Sequence, residues 1–120
     1  MSDKKVLIMD DDADLCMLME TMVKFMKVPC MRNTNPITLE EVLDSYKPNV
    51  LVMDMLMSGR DGRDICKLIK SNPAYNNMKV MMVSAHPEAE KTCLEAGADS
   101  FLSKPFEMDE FTERVAEMLA

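Results

Sequence analysis

Three uninterrupted apolar runs, Val6–Met9, Val50–Met53 and Val80–Val83, stand out along the chain, and most other apolar residues recur at helical intervals. Short Val-rich runs of this kind predict strands buried on both faces of a parallel sheet. A weaker run, Phe101–Leu102, precedes Ser103, Lys104 and Pro105 and predicts a further strand. The fifth candidate, Val28–Arg32, contains Pro29, which a central strand would not tolerate but an edge strand can.

Between these runs the period changes. Leu15, Leu18, Met19, Met22, Val23 and Met26 form one helical stripe. Leu39, Val42, Leu43 and Tyr46 form a second, behind Thr38 and Glu41 at the spacing of a capping box. Ile65, Leu68 and Ile69 mark a third helix, Ala89, Cys93 and Ala96 a fourth, and Phe111, Val115, Met118 and Leu119 a fifth. Gly97 is placed to end the fourth. Strand then helix, five times over, predicts an α/β fold: a doubly wound five-stranded parallel sheet with five helices and right-handed crossovers. No linker, low-complexity segment or internal repeat interrupts the pattern, so one domain is expected over residues 1–120.

Composition narrows the function classes. A net charge of −7 and a pI near 4.7 argue against nucleic acid or an anionic membrane as a direct partner. No apolar run approaches a membrane span and no signal peptide opens the chain, so a cytoplasmic location is expected. Cys16, Cys30, Cys66 and Cys93 are scattered without a CxxC pair, which indicates neither a zinc site nor a disulfide scaffold. The 15 methionines are read as core filling, because most fall on faces predicted to be buried.

Ligands of an open parallel α/β sheet bind outside the carboxyl ends of its strands. Asp10, Asp11 and Asp12 follow the first strand, Asp54 the third, Ser84 the fourth and Lys104 the fifth. Each has an ordinary explanation taken alone: Asp12 or Asp14 as a helix cap, Ser84 as a partner for local backbone, Lys104 as a solvated loop residue. Their joint arrival at one sheet edge is what carries chemistry. Two carboxylates ~4 Å apart repel by ~4 kcal/mol at an effective dielectric of about 20. Such a cluster raises its own pKa values or demands a cation. Hard oxygen ligands select Mg²⁺ or a similar ion, and a central carboxylate flanked by that ion, a lysine and a hydroxyl suits phosphoryl transfer onto the carboxylate.

With VLIMDDD at the first strand, VLVMDMLMSGRDG at the third, VMMVSA at the fourth and AGADSFLSKPF around the fifth, the chain resembles the receiver domain of two-component response regulators, similar to CheY. The resemblance covers essentially the whole chain and implies strand order 2-1-3-4-5. It implies Asp54 as phosphoacceptor, taking a phosphoryl group from a histidine kinase or a histidine phosphotransfer protein. It implies Mg²⁺ on Asp11, Asp54 and the backbone carbonyl of Leu56, with Asp10 acting through water. Ser84 would hydrogen-bond the phosphoryl group and Lys104 would pair with it. Pro105 falls where the family has a cis peptide bond, and Phe101 where it has a switching aromatic. Output would pass to a downstream protein through the face formed by the fourth helix, fifth strand and fifth helix, with homodimerisation there as a second option.

The chain departs from the family pattern in places. Ser58 stands where a proline is usual, four residues after Asp54, and is expected to loosen that loop. Leu56 is apolar where many relatives are polar, and the second strand and the loop after it match poorly. His86, two residues beyond Ser84, is read as an exposed loop residue. A haloacid-dehalogenase-like phosphatase is disfavoured, since Leu56 occupies the position of its second acid and 120 residues leave little room for a cap. A flavodoxin-like nucleotide binder is disfavoured by only three glycines and no phosphate-cradling loop.

Overall fold

The alternation of buried runs and amphipathic stripes resolves into a central parallel sheet with helices on both faces. The structure, a computed structural model, describes residues 4–120; the first three residues of the span read from the sequence lie outside the described ones. The sheet consists of β1 (Val6–Met9), β2 (Cys30–Asn33), β3 (Val50–Asp54), β4 (Lys79–Ser84) and β5 (Ser100–Ser103). All pairings are parallel, in the order β2-β1-β3-β4-β5. The helices are α1 (Ala13–Phe25), α2 (Leu39–Tyr46), α3 (Gly62–Ser71), α4 (Glu90–Glu95) and α5 (Met108–Leu119).

Strand side chains alternate between two cores, as the pleat requires. Val6, Ile8, Val50, Val52, Met81, Val83 and Leu102 pack with α1 and α5 through Cys16, Met19, Met22, Val23, Phe111 and Val115. Leu7, Met9, Leu51, Met53, Val80, Met82 and Phe101 pack on the other face with α2, α3 and α4. Each run is apolar throughout because both its faces are covered. Methionine fills both cores: Met9, Met53, Met81 and Met82 are completely buried.

Several expectations are corrected at the edges of elements. Leu18 and Leu68 are more than half exposed, and Cys16 and Cys66 take the buried positions instead. A helix on a sheet buries only one stripe, and these two leucines lie on its flank. The capping box at Thr38 and Glu41 does not form: Thr38 makes no side-chain cap, and its hydroxyl bonds to the Asn35 carbonyl. A 3-10 turn, Pro36–Thr38, capped by Asn35, leads into α2 in its place. The edge strand runs over Cys30–Asn33, leaving Pro29 just outside, where its carbonyl accepts the Val6 amide. Gly97, at φ +106°, does end α4.

An unexpected feature follows β3. Leu56–Met57 pairs antiparallel with Arg60–Asp61, making a short hairpin over the end of the sheet. α3 then starts at Gly62 hard against β3. A Cβ there would lie 2.9 Å from the Asp54 carbonyl oxygen and 3.1 Å from that of Met55, so this approach needs glycine.

Candidate functional site

The carboxyl ends of β1, β3, β4 and β5 deliver polar groups to one edge of the sheet, as expected. Asp10 follows β1 and is completely buried, which a carboxylate tolerates only with partners. Its Oδ1 accepts the Asp12 amide at 2.9 Å and its Oδ2 faces the Lys104 Nζ at 3.3 Å. Asp12 is the α1 N-cap, accepting from the amides of Asp14 and Leu15. It belongs to the helix start and not to the acidic cluster.

Asp54 ends β3, and the Lys104 ammonium donates to its Oδ1 at 3.1 Å. Burial pushes the Asp54 carboxyl above its ordinary pKa, and repulsion from Asp10 adds to this, with Lys104 offsetting only part. Burial opposes the charge on Lys104 too, but attraction to Asp54 and Asp10 outweighs it and holds its pKa above the usual lysine value. The Lys104–Pro105 peptide bond is cis, as the resemblance implied.

Asp11 is exposed, and one of its oxygens, Oδ2, accepts both the Ser58 amide at 2.8 Å and the Ser58 hydroxyl at 2.9 Å. The Ser58 amide is the main reason its carboxyl sits below the ordinary value; partial burial works against this and the hydroxyl supports it. Carboxylate oxygens of Asp10, Asp11 and Asp54 lie within 4.8 Å of one another. Three clustered carboxylates, two of them paired with the single Lys104 ammonium, leave two negative charges in excess when all are ionised, the complement of a divalent cation. The donor set, all oxygen, fits Mg²⁺.

The remaining site residues surround this cluster at different depths. Ser84 ends β4, almost fully buried, and its Oγ accepts the His86 amide at 2.9 Å. Its carbonyl receives the Lys104 amide, which ties β4 to the lysine-bearing loop. Leu56 lies in the hairpin opposite Asp61, its side chain half exposed. Phe101 is not in the polar edge at all: it is 5% exposed and packs in the core beneath α3 and α4. His86 is exposed, and its imidazole Nδ1 lies 3.5 Å from the Glu88 carboxylate.

The expected loosening of the loop at Ser58 is corrected by this geometry. Ser58 fastens the hairpin to the end of β1 through Asp11. Arg60 fastens it to α2, with a two-pronged bond to Glu40 at 2.7 Å per contact and a bond to the Pro36 carbonyl. Asp61 caps α3 and pairs with Arg63, whose guanidinium also reaches Thr92 in α4. The sequence marked Ser58 only as a departure from the family pattern, without its bonds to Asp11, and did not mark Arg60 or Arg63. For the two arginines, the RDGRD segment with its closely spaced opposite charges was the visible hint.

A half-buried aspartate, a lysine beside it and a second pair of acids, set on a 2-1-3-4-5 parallel sheet, are the arrangement of a receiver-type signalling domain. The chain belongs to the response regulator receiver domain family, which it matches over residues 6–116. It is 28% identical to protein RcaC of Microchaete diplosiphon over 96% of this chain and 18% of that protein. It is 25% identical to the phosphate regulon transcriptional regulatory protein PhoB of Pseudomonas aeruginosa, over 99% of this chain and 53% of that one. The chain thus spans about half the length, or less, of these curated relatives. Among solved structures, the response regulator receiver domain from Bermanella marisrubri superimposes with a TM-score of 0.90 at 25% identity, covering 100% of both chains. Among the described residues no helix is long and apolar enough to cross a membrane.

Proposed function

We propose that this chain is a phosphorylation-dependent switch that accepts a phosphoryl group on Asp54 from a phosphohistidine of a histidine kinase or histidine phosphotransfer protein. The observation that carries the reading is Asp54 itself: a half-buried carboxylate held at 3.1 Å by Lys104 and crowded by two further acids. In the reaction a carboxylate oxygen of Asp54 attacks phosphorus and the P–N bond to the donor imidazole breaks. The imidazole nitrogen keeps the electron pair, and an acyl phosphate remains on Asp54.

Asp11, Asp54 and the Leu56 backbone carbonyl would hold Mg²⁺, with Asp10 acting through water. When bound, the ion neutralises charge on the phosphoryl oxygens. Lys104, positioned by Asp10 and Asp54, is the protein's own cation for the transferred group. Ser84 would turn its hydroxyl from the His86 amide toward a phosphoryl oxygen, and the Phe101 ring would move into the space released. The face formed by α4, β5 and α5 would then change its affinity for a downstream protein, with a second copy of the chain as another occupant. Such a switch moves only as far as the phosphoryl group binds the two packings differently. The domain is read as one unit over 1–120.

Intact mass after incubation with a small-molecule phosphoryl donor tests the reading. One phosphoryl group added with Mg²⁺, none with chelator and none on Asp54→Asn is the expected result. A wild-type chain that binds Mg²⁺ yet stays unmodified is a metal-binding interaction module instead.

A further inference from the structure

We propose that Ser58 is a positioning residue for the divalent cation, fixing Asp11 through one carboxylate oxygen and leaving the other for the metal. The inference rests on the reading of the acidic cluster as an Mg²⁺ site. Asp11 is exposed, so its hydrogen bonds more than its packing set the direction of its side chain. Two donors of Ser58, the amide at 2.8 Å and the hydroxyl at 2.9 Å, converge on the single oxygen Oδ2. Bonds from a donor to an ionised carboxylate are the stronger kind, and two on one oxygen define its direction. Mg²⁺ takes carboxylates one oxygen at a time, and a ligating carboxylate is commonly held by a hydrogen bond to its second oxygen. Ser58 supplies that outer contact from the chain itself, across 47 residues of sequence.

The residue type matters in two separable ways. A proline at 58 has no amide hydrogen and no hydroxyl, so it removes both donors. Alanine keeps the amide and removes only the hydroxyl. Threonine keeps both. Arg60 and Asp61 hold the hairpin in place independently of Ser58, so its donors can be removed while the rest of the fastening stays.

The test is titration of the full chain with magnesium chloride, followed by amide NMR shifts, for the wild type, Ser58→Ala, Ser58→Pro, Ser58→Thr and Asp11→Asn. Melting curves in chelator confirm that each variant is folded. The expected result is affinity lowered about tenfold or more in Ser58→Pro, the low end for loss of an outer-shell contact. Ser58→Ala should fall between this and the wild type, and Ser58→Thr should restore binding to within about twofold. Unchanged or tighter binding in folded Ser58→Ala and Ser58→Pro overturns the inference, since Ser58 would then be a bystander or a competitor for Asp11. Failure of the underlying reading looks different: a wild type that does not bind Mg²⁺, or one whose binding survives Asp11→Asn, removes the site itself.

Discussion

At the scale of single residues, the site is built from charges that oppose one another when no cation is present. Asp54 titrates above the ordinary carboxylate value because it is buried and faces Asp10. Its pKa is therefore higher folded than unfolded, and folding takes up a proton between about 3.9 and the raised value. The associated stability is present at low pH and lost as pH rises through that window. Asp54→Asn is accordingly expected to raise the melting temperature by a few degrees at neutral pH in chelator, with the gain shrinking as the pH falls toward the ordinary carboxylate range. A gain independent of pH would contradict this. Lys104 has the opposite role, since Asp10 has no exposure and depends on it. Lys104→Met should cost about 2–3 kcal/mol in urea unfolding without metal, because it leaves a buried carboxylate without its cation. A loss under about 0.5 kcal/mol would show that the Asp12 amide alone suffices for Asp10.

Among the elements, the hairpin between β3 and α3 decides how accurately the site is held. Gly62 lets α3 begin against the backbone of Asp54 and Met55, with 2.9 Å to the nearer carbonyl from an added Cβ. Gly62→Ala is therefore expected to cost about 1–3 kcal/mol by overpacking and to slow phosphoryl uptake by displacing Asp54. Gly59, at φ +77°, has open space around it, so Gly59→Ala should cost about 1 kcal/mol through backbone conformation and leave uptake intact. Equal effects of the two on uptake would show that the close approach at Gly62 is not what positions Asp54. This is also where sequence reading reached its limit. The three Val-rich runs and the acids behind them were legible because burial on both faces and polar strand ends leave a local pattern. The hairpin strands are two residues each and have no period to read. The bonds of Ser58 to Asp11 and Arg60 to Glu40 join residues 47 and 20 apart and exist only once the sheet order is set. Leu18 and Leu68 misled for a related reason: a helical stripe shows which residues could face a sheet, and the sheet's width decides which do.

Across the whole molecule, the sheet separates two cores that draw alternate residues from the same strands. Phe101 lies in the core that also contains Ala89, Cys93 and Ala96, on and beside α4. A change in its ring position, as proposed for the switch, would repack the underside of that helix, whereas the neighbouring Leu102 belongs to the α1 and α5 core on the other face. Beryllofluoride with Mg²⁺, as a stand-in for the phosphoryl group, should therefore shift amide resonances of α4, β5 and the Ser84–His86 turn, and leave α2 and β2 largely unmoved. Shifts confined to residues lining the acidic cluster would argue that Phe101 is core alone and that no switch is coupled to it.

The central claim is that the phosphoryl group is carried by one particular carboxylate, and borohydride trapping tests it most directly. The reagent reduces an acyl phosphate to an alcohol, so the modified aspartate becomes homoserine and peptide sequencing locates it. After phosphorylation with Mg²⁺, conversion at Asp54 alone is the predicted result. Conversion at Asp10 or Asp11, or no conversion in a chain that has taken up phosphate, would contradict the account.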